Sequence, residues 1–167
     1  GFAPYTIQKE SQLLKVNNSI HPNIAVMSEP LAVALHAIRK FDVNEHERAL
    51  ILGAGPIGVL SAICLKNKGL KSVFISDTNQ YRLKKVCFDF DLFPLESKIQ
   101  YIKESKKPSF CIDATNSNRA LETILSLIAK GGTVSMIGLN HKPTNVQIHK
   151  IVESGITLSG CAAFDSE

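Results

Sequence analysis

From Ala49 onward short apolar runs alternate with stretches whose apolar residues recur at spacings of three and four. A buried strand is predicted at Ala49-Leu50-Ile51-Leu52, then a helix from about Pro56 to Lys68 with Ile57, Leu60, Ser61, Cys64 and Leu65 along one face. Gly69 stops that helix, and Ser72-Val73-Phe74-Ile75-Ser76 reads as a second strand that ends at Asp77. A helix from roughly Gln80 to Phe88 and a short strand around Leu92 to Leu95 follow, with room for a brief helix between Ser97 and Lys107. Phe110 to Asp113 is the fourth strand, and Asn118 is placed to cap a helix carrying Leu121, Ile124, Leu125 and Ile128. After Gly131-Gly132 the pattern gives a strand at Thr133 to Ile137, an extended piece at Val146-Gln147-Ile148, a brief helix containing Ile151 and Val152, and a strand at Ile156-Thr157-Leu158. Six strands alternating with helices predict an α/β fold, a doubly wound parallel sheet of six strands.

The first 48 residues differ in character. Tyr5 to Val16 has strand-like and polar stretches, and Asn17-Asn18-Ser19 with Pro22 reads as a linker. Ser28 is placed to cap a helix from Glu29 to Phe41 that buries Leu31, Ala34, Leu35 and Ile38, with Pro30 in its first turn. Phe41 to Glu45 breaks it before the first strand.

Composition narrows the class without changing the fold. The 167 residues are 44% hydrophobic and 20% charged, and no apolar run is long enough to suggest a membrane span. The start lacks the basic stretch and apolar core of a secretory signal, so a cytoplasmic location is expected. Cys64, Cys87, Cys111 and Cys161 form no C-x-x-C pair and sit among apolar neighbours, which favours buried free thiols over bridges or zinc ligands. The net charge of +4 is spread over loops and helix ends rather than gathered into the basic, aromatic-laced stripe of a nucleic-acid protein.

Chemistry concentrates at Gly53-Ala54-Gly55-Pro56-Ile57-Gly58. This G-x-G-x-x-G follows a predicted strand, opens an amphipathic helix, and is answered by an acid, Asp77, at the end of the next strand. Gly53 permits the tight turn, Gly55 lets a pyrophosphate approach the backbone, and Gly58 lets helix pack closely on strand. The helix N-terminus offers free N–H groups and a partial positive charge to phosphates. Asp77 is suited to both ribose hydroxyls of NAD and repels the added phosphate of NADP, whereas Arg82 either flanks the adenine or pairs with Asp77. Asp113-Ala114-Thr115 and Ile137-Gly138-Leu139 end strands at the carboxyl edge, where open α/β sheets hold ligands, and are candidates for the nicotinamide side. For Asp113, anchoring of its own loop is an equal alternative.

The ordered set of segments resembles the zinc-dependent medium-chain alcohol dehydrogenases, in particular the sorbitol, threonine and sugar-alcohol-phosphate dehydrogenase branch. It comprises Gly1-Phe2-Ala3-Pro4-Tyr5, Glu29-Pro30-Leu31, the turn at Gly53 to Gly58, Ser76-Asp77 with Arg82-Leu83, Asp113-Ala114-Thr115, Lys130 to Val134 and Ile137-Gly138-Leu139. The resemblance implies reversible hydride transfer from an alcohol or polyol carbon to NAD, with zinc on the alcohol oxygen. It implies that residues 1–22 end a catalytic, GroES-like domain, that 23–167 form the NAD-binding Rossmann domain without its terminal helices, and that the chain is an inactive piece of a longer enzyme. The family's Cys, His and acidic zinc ligands would then lie upstream. Glu29 matches a glutamate that approaches the metal, against the alternative of a charge complementing its helix dipole. His36 is expected to be a packed histidine rather than a ligand. Cys87 to Asp91 replaces the family's Gly-Ala-Asp, and Ala162-Ala163 stands where polyol dehydrogenases carry Phe-Arg, which leaves the substrate open. A non-catalytic dinucleotide-sensing module is the main alternative, a methyltransferase and an NADPH-dependent reductase being disfavoured by Pro56, Gly58 and Asp77. A homo-oligomer is expected from the exposed last strand.

Overall fold

A computed structural model describes residues 3–39, 41, 47–95 and 107–162. Its helices are α1 (Pro22–Ala25), α2 (Ser28–Arg39), α3 (Pro56–Asn67), α4 (Gln80–Phe90), α5 (Ala120–Leu127) and α6 (Ile148–Ser154). Its strands are β1 (Arg48–Leu52), β2 (Ser72–Ser76), β3 (Phe93–Pro94), β4 (Phe110–Asp113), β5 (Thr133–Met136) and β6 (Thr157–Gly160). All adjacent strands pair in parallel, in the order β3-β2-β1-β4-β5-β6.

The two-residue period of the strands divides the core between the two sheet faces. Ala49 and Ile51 of β1, Val73 and Ile75 of β2, and Phe110 and Ile112 of β4 pack with Ile38 of α2, Ala62 and Leu65 of α3, and Leu83 of α4. Leu50, Leu52 and Cys111 turn the other way, onto Ala120, Ile124 and Leu125 of α5, with Ile151 of α6 partly covering them. Burial on both faces is why β1 and β4 read as unbroken apolar runs rather than alternating ones. The register aligns Leu52 with Ser76 and with Asp113, so the loops after β1, β2 and β4 leave the sheet side by side. Because β1 connects outward to β2 while β4 lies on its other side, a crevice opens at that edge.

Several local expectations are corrected. Tyr5 to Val16 forms no strand; it holds one 3-10 turn at Glu10–Gln12, and its apolar side chains are exposed, Ile7 at 99%. Propensity alone gives these residues no strand to pair with. Ser28 does not cap α2, because α1 runs into it and the Ser28 hydroxyl donates to the Ala25 carbonyl (2.6 Å). On α2 the buried residues are Ala34, Ala37 and Ile38, while Leu35 is exposed. The buried face of α3 is Gly58, Ser61, Ala62, Cys64 and Leu65, so Ile57 and Leu60 sit at its margin. Asn118 does not cap α5; Arg119 occupies the cap position without a side-chain bond, and the Asn118 Oδ1 accepts from Asn140 Nδ2. Ile148 begins α6 instead of closing an extended piece, and the last strand starts one residue later than expected. The helix expected between Ser97 and Lys107 falls almost wholly outside the described residues, as do Gly1, Phe2, the part of the expected break after Phe41 and Ala163.

Candidate cofactor site

The glycine turn is shaped by three different constraints. Gly53 has φ +101°, a conformation that L side chains rarely adopt, and a Cβ there would lie 2.8 Å from the Ala114 carbonyl oxygen. Its N–H donates to the Ser76 carbonyl (2.8 Å), which ties the turn to β2. At Gly58 a Cβ would lie 1.8 Å from the Gly53 carbonyl oxygen, so helix and turn touch backbone to backbone. Gly55 is different: it caps α3 with φ −76° and ψ −178°, and a Cβ built on it meets no atom within 4 Å. At two of the glycines a Cβ would run into protein, and the middle one faces open space at a helix N-terminus, where anions are favoured.

Asp77 follows β2 directly and its side chain is only 8% exposed. Its Oδ2 accepts from the Ala54 N–H (2.8 Å) and its Oδ1 from the Asn79 N–H (2.7 Å). Asn79 in turn caps α4 by accepting from the Arg82 N–H (3.0 Å), and that cap brings the Arg82 guanidinium to 3.3 Å from Asp77 Oδ2. A carboxylate offers about four acceptor positions. Three are used, the third by a half-exposed arginine whose ion pair is weak in solvent. Displacing Arg82 leaves two positions, the number that a pair of ribose hydroxyls requires.

After β4 the chain descends through three linked turns. Asp113 Oδ1 accepts from the Thr115 N–H (2.9 Å) and hydroxyl (2.7 Å), Thr115 Oγ1 from the Ser117 N–H (3.1 Å), and Ser117 Oγ from the Arg119 N–H (3.2 Å). Asp113 is therefore a loop anchor, the alternative left open for it. Burial pushes its carboxyl above the ordinary value of 3.8, and the two Thr115 bonds pull it partway back.

Between these loops lies a groove of about 560 Å³ whose wall includes Gly53, Gly55, Asp77, Arg82, Thr115 and Arg119. Of the residues expected at a cofactor site, Ala114 also lines it. Pro56 lines instead a second, apolar groove of about 570 Å³ with Met27 and Val59. Ile57 is half-buried and Gly58 buried, both behind the wall. Gly138 packs on Thr115, and Leu139 is 69% exposed at the carboxyl edge. Glu29 is exposed in the first turn of α2, two residues after Met27, and His36 is half-buried on the same helix. The pattern reading missed Thr78, Asn116, Ser117, Arg119 and Thr123, all in the groove wall. For Thr78 and for Asn116 to Arg119 the signal is a polar run after an apolar strand at the sheet's carboxyl edge; Thr123, on α5, has none.

Among the described residues no group of three or more His, Cys, Asp and Glu side chains is placed to hold a metal ion. The four cysteines are free, three of them buried, and burial raises the thiols of Cys64, Cys87 and Cys111. No helix among the described residues is long and apolar enough to cross a membrane.

The architecture and the turn define a Rossmann-type α/β domain with open space at the N-terminus of α3 beside the Asp77 carboxylate. The chain belongs to the zinc-binding dehydrogenase family, whose model matches residues 56–167. It is 27% identical to the L-threonine 3-dehydrogenase of Francisella tularensis subsp. novicida over 176 residues, covering 96% of this chain and 50% of that protein. With the D-altritol 5-dehydrogenase of Agrobacterium fabrum the identity is 31% over 144 residues, covering 83% of this chain and 42% of that one. A solved Escherichia coli CFT073 structure, described as a short chain alcohol dehydrogenase complexed with NADH, superposes with a TM-score of 0.83 at 21% identity, over 92% of this chain and 47% of the other. The chain thus spans about half the length of the relatives it matches.

Proposed function

We propose that this chain is the NAD-binding portion of a zinc-dependent dehydrogenase that oxidises a small alcohol or polyol. The observation that carries the reading is the open space at Gly55, set at the N-terminus of α3 and beside Asp77. In this reading the N–H groups at the start of α3 receive the pyrophosphate, and Asp77 takes the adenosine ribose hydroxyls as Arg82 moves aside. Arg119 and Thr123 border the adenine end, while the backbone of Ala114, Thr115, Gly138 and Leu139 supports the nicotinamide half. When bound, the nicotinamide of NAD supplies the hydride acceptor. The protein's part is to hold the dinucleotide so that its reactive face meets the substrate.

Relatives named for L-threonine and D-altritol, both small molecules bearing hydroxyl groups, support an alcohol or polyol substrate within the sorbitol and threonine dehydrogenase branch. Zinc and most of its ligands belong, in this reading, to the half of the protein outside this chain, with exposed Glu29 facing it. Residues 1–22 are then the end of the catalytic domain, a reading supported by the exposure of Tyr5, Ile7 and Leu14. Four free cysteines support a reducing, cytoplasmic setting, and the position of β6 at the edge of the sheet supports pairing of two copies there.

Fluorescence titration with NADH and NADPH tests the cofactor assignment. The chain has no tryptophan, so the signal is that of the nicotinamide itself. NADH is expected to bind, and more tightly than NADPH. Preference for NADPH overturns the role given to Asp77, and binding of neither overturns the proposal.

A further inference from the structure

Sheet pairing between β4 and β5 ends at Asp113 and Met136, and the backbone joins the two following loops only a little further. The Ile137 and Gly138 N–H groups both donate to the Asp113 carbonyl (2.9 and 3.0 Å). Gly138 then passes so close to Thr115 that a Cβ would lie 1.5 Å from the Thr115 carbonyl oxygen. Beyond Gly138 the connections between the loops come from side chains. The Asn116 side-chain amide faces two carbonyls, so its nitrogen is assigned to that side, where it donates to Thr115 O (3.3 Å) and to Leu139 O (3.2 Å). Asn140 Nδ2 donates to Asn118 Oδ1, while Asn140 Oδ1 accepts from the Lys142 N–H (3.0 Å). Residues 137–147 contain no helix or strand, and Leu139 is 69% exposed, so this stretch has little apolar burial to hold it.

From this geometry we infer that Asn116 and Asn140 are positioning residues: they clasp the loop after β5 to the loop after β4 and thereby fix the surface on which the nicotinamide half of the dinucleotide rests. The inference rests on the proposed NAD site. The adenosine end of the ligand is assigned to Asp77 and Arg82 and the pyrophosphate to Gly55, which leaves the carboxyl ends of β4 and β5 for the remaining half. Neither asparagine is asked to touch the reacting atoms. Each holds backbone that the ligand would meet. Releasing the clasp is therefore expected to weaken the nicotinamide half of the ligand and leave the adenosine half alone.

The test compares NADH with ADP-ribose, which lacks the nicotinamide, by titration calorimetry on the parent chain, Asn116→Ala and Asn140→Ala. Deuterium exchange of the unliganded chains over residues 137–142 is measured alongside. Exchange should speed in both variants. For Asn140→Ala, outside the groove wall, the NADH dissociation constant should rise about fivefold, the worth of one hydrogen bond, with ADP-ribose changed by less than about twofold; Asn116 itself lines the groove, so Asn116→Ala is read by exchange and NADH affinity alone. Equal losses for both ligands in Asn140→Ala identify a merely structural role and overturn the inference, as do unchanged exchange or unchanged NADH affinity in either variant. Failure of the parent chain to bind NADH overturns the proposed function, and this inference with it; NADH binding without the split overturns this inference alone.

Discussion

Replacing Gly55 by alanine separates binding from folding at the centre of the site. Gly55 has φ −76° and ψ −178°, extended backbone open to any residue, and the added methyl meets no protein atom within 4 Å. Alanine restricts the unfolded chain, a gain of about 0.4–1 kcal/mol. It is also a poorer helix N-cap than glycine, a loss of similar size, so the melting temperature should stay within about 2 °C. The methyl instead occupies the space assigned to the pyrophosphate. Loss of charge-assisted hydrogen bonds worth about 1.5–3 kcal/mol should raise the NADH dissociation constant at least about tenfold. Gly58→Ala is the control with the opposite signature. Its methyl would lie 1.8 Å from the Gly53 carbonyl oxygen, backbone that has no flexible end to move aside. Overpacking of this kind costs about 1–3 kcal/mol, which lowers the melting temperature by several degrees in a domain of this size. Thermal melts and NADH titrations of both variants check the pair. A Gly55→Ala chain that binds NADH within twofold of the parent refutes the cradle, and one that melts far below it refutes the account of open space.

Three further outcomes follow from the same geometry. Asp77→Ser should weaken NADH, erode its advantage over NADPH, and lower the melting temperature, because the buried Ala54 N–H loses its carboxylate acceptor, at about 1–3 kcal/mol for an unmet buried donor, whereas water replaces the acceptor of the exposed Asn79 N–H. Binding and melting measured together check it, and an unchanged melting temperature contradicts the turn-holding role. Asp113 is held above its ordinary value of 3.8 by burial, so the native state binds the proton more tightly than the unfolded chain, and stability falls as pH rises from 3.8 through the raised native value. Asp113→Asn keeps an oxygen for Thr115 without the charge; denaturant melts should find it at least as stable as the parent at pH 7, with the difference shrinking below pH 3.8, and a less stable variant at pH 7 contradicts this. Under native conditions, alkylation followed by peptide mass spectrometry should mark half-buried Cys87 before buried Cys64 and Cys111.

Much of the framework was legible because its signals are local and physical. The run Ala49 to Leu52, the glycines and the acid at Asp77 each carry period or turn chemistry that tertiary packing reinforces, and β2 and β4 fall where the apolar runs place them. What was missed depends on which of several partners packing puts within reach. Ser28 has the right chemistry for a cap, but α1 supplies a carbonyl that its hydroxyl prefers. Asn118 is drawn to Asn140, 22 residues away, so Arg119 takes its place and enters the groove. Leu35 falls at a helical spacing compatible with burial, yet the contact of α2 with the sheet and α3 uses Ala34, Ala37 and Ile38. The Asp77–Arg82 pair was one of two options in the sequence, and the cap at Asn79 is what selects it.

The most direct test of the cofactor assignment is a crystal structure of the chain grown with NAD. The pyrophosphate should lie over Gly55 at the start of α3, with Asp77 within hydrogen-bond distance of the adenosine ribose hydroxyls and the Arg82 guanidinium displaced from its 3.3 Å contact. A dinucleotide bound elsewhere, or one whose ribose does not meet Asp77, contradicts the account.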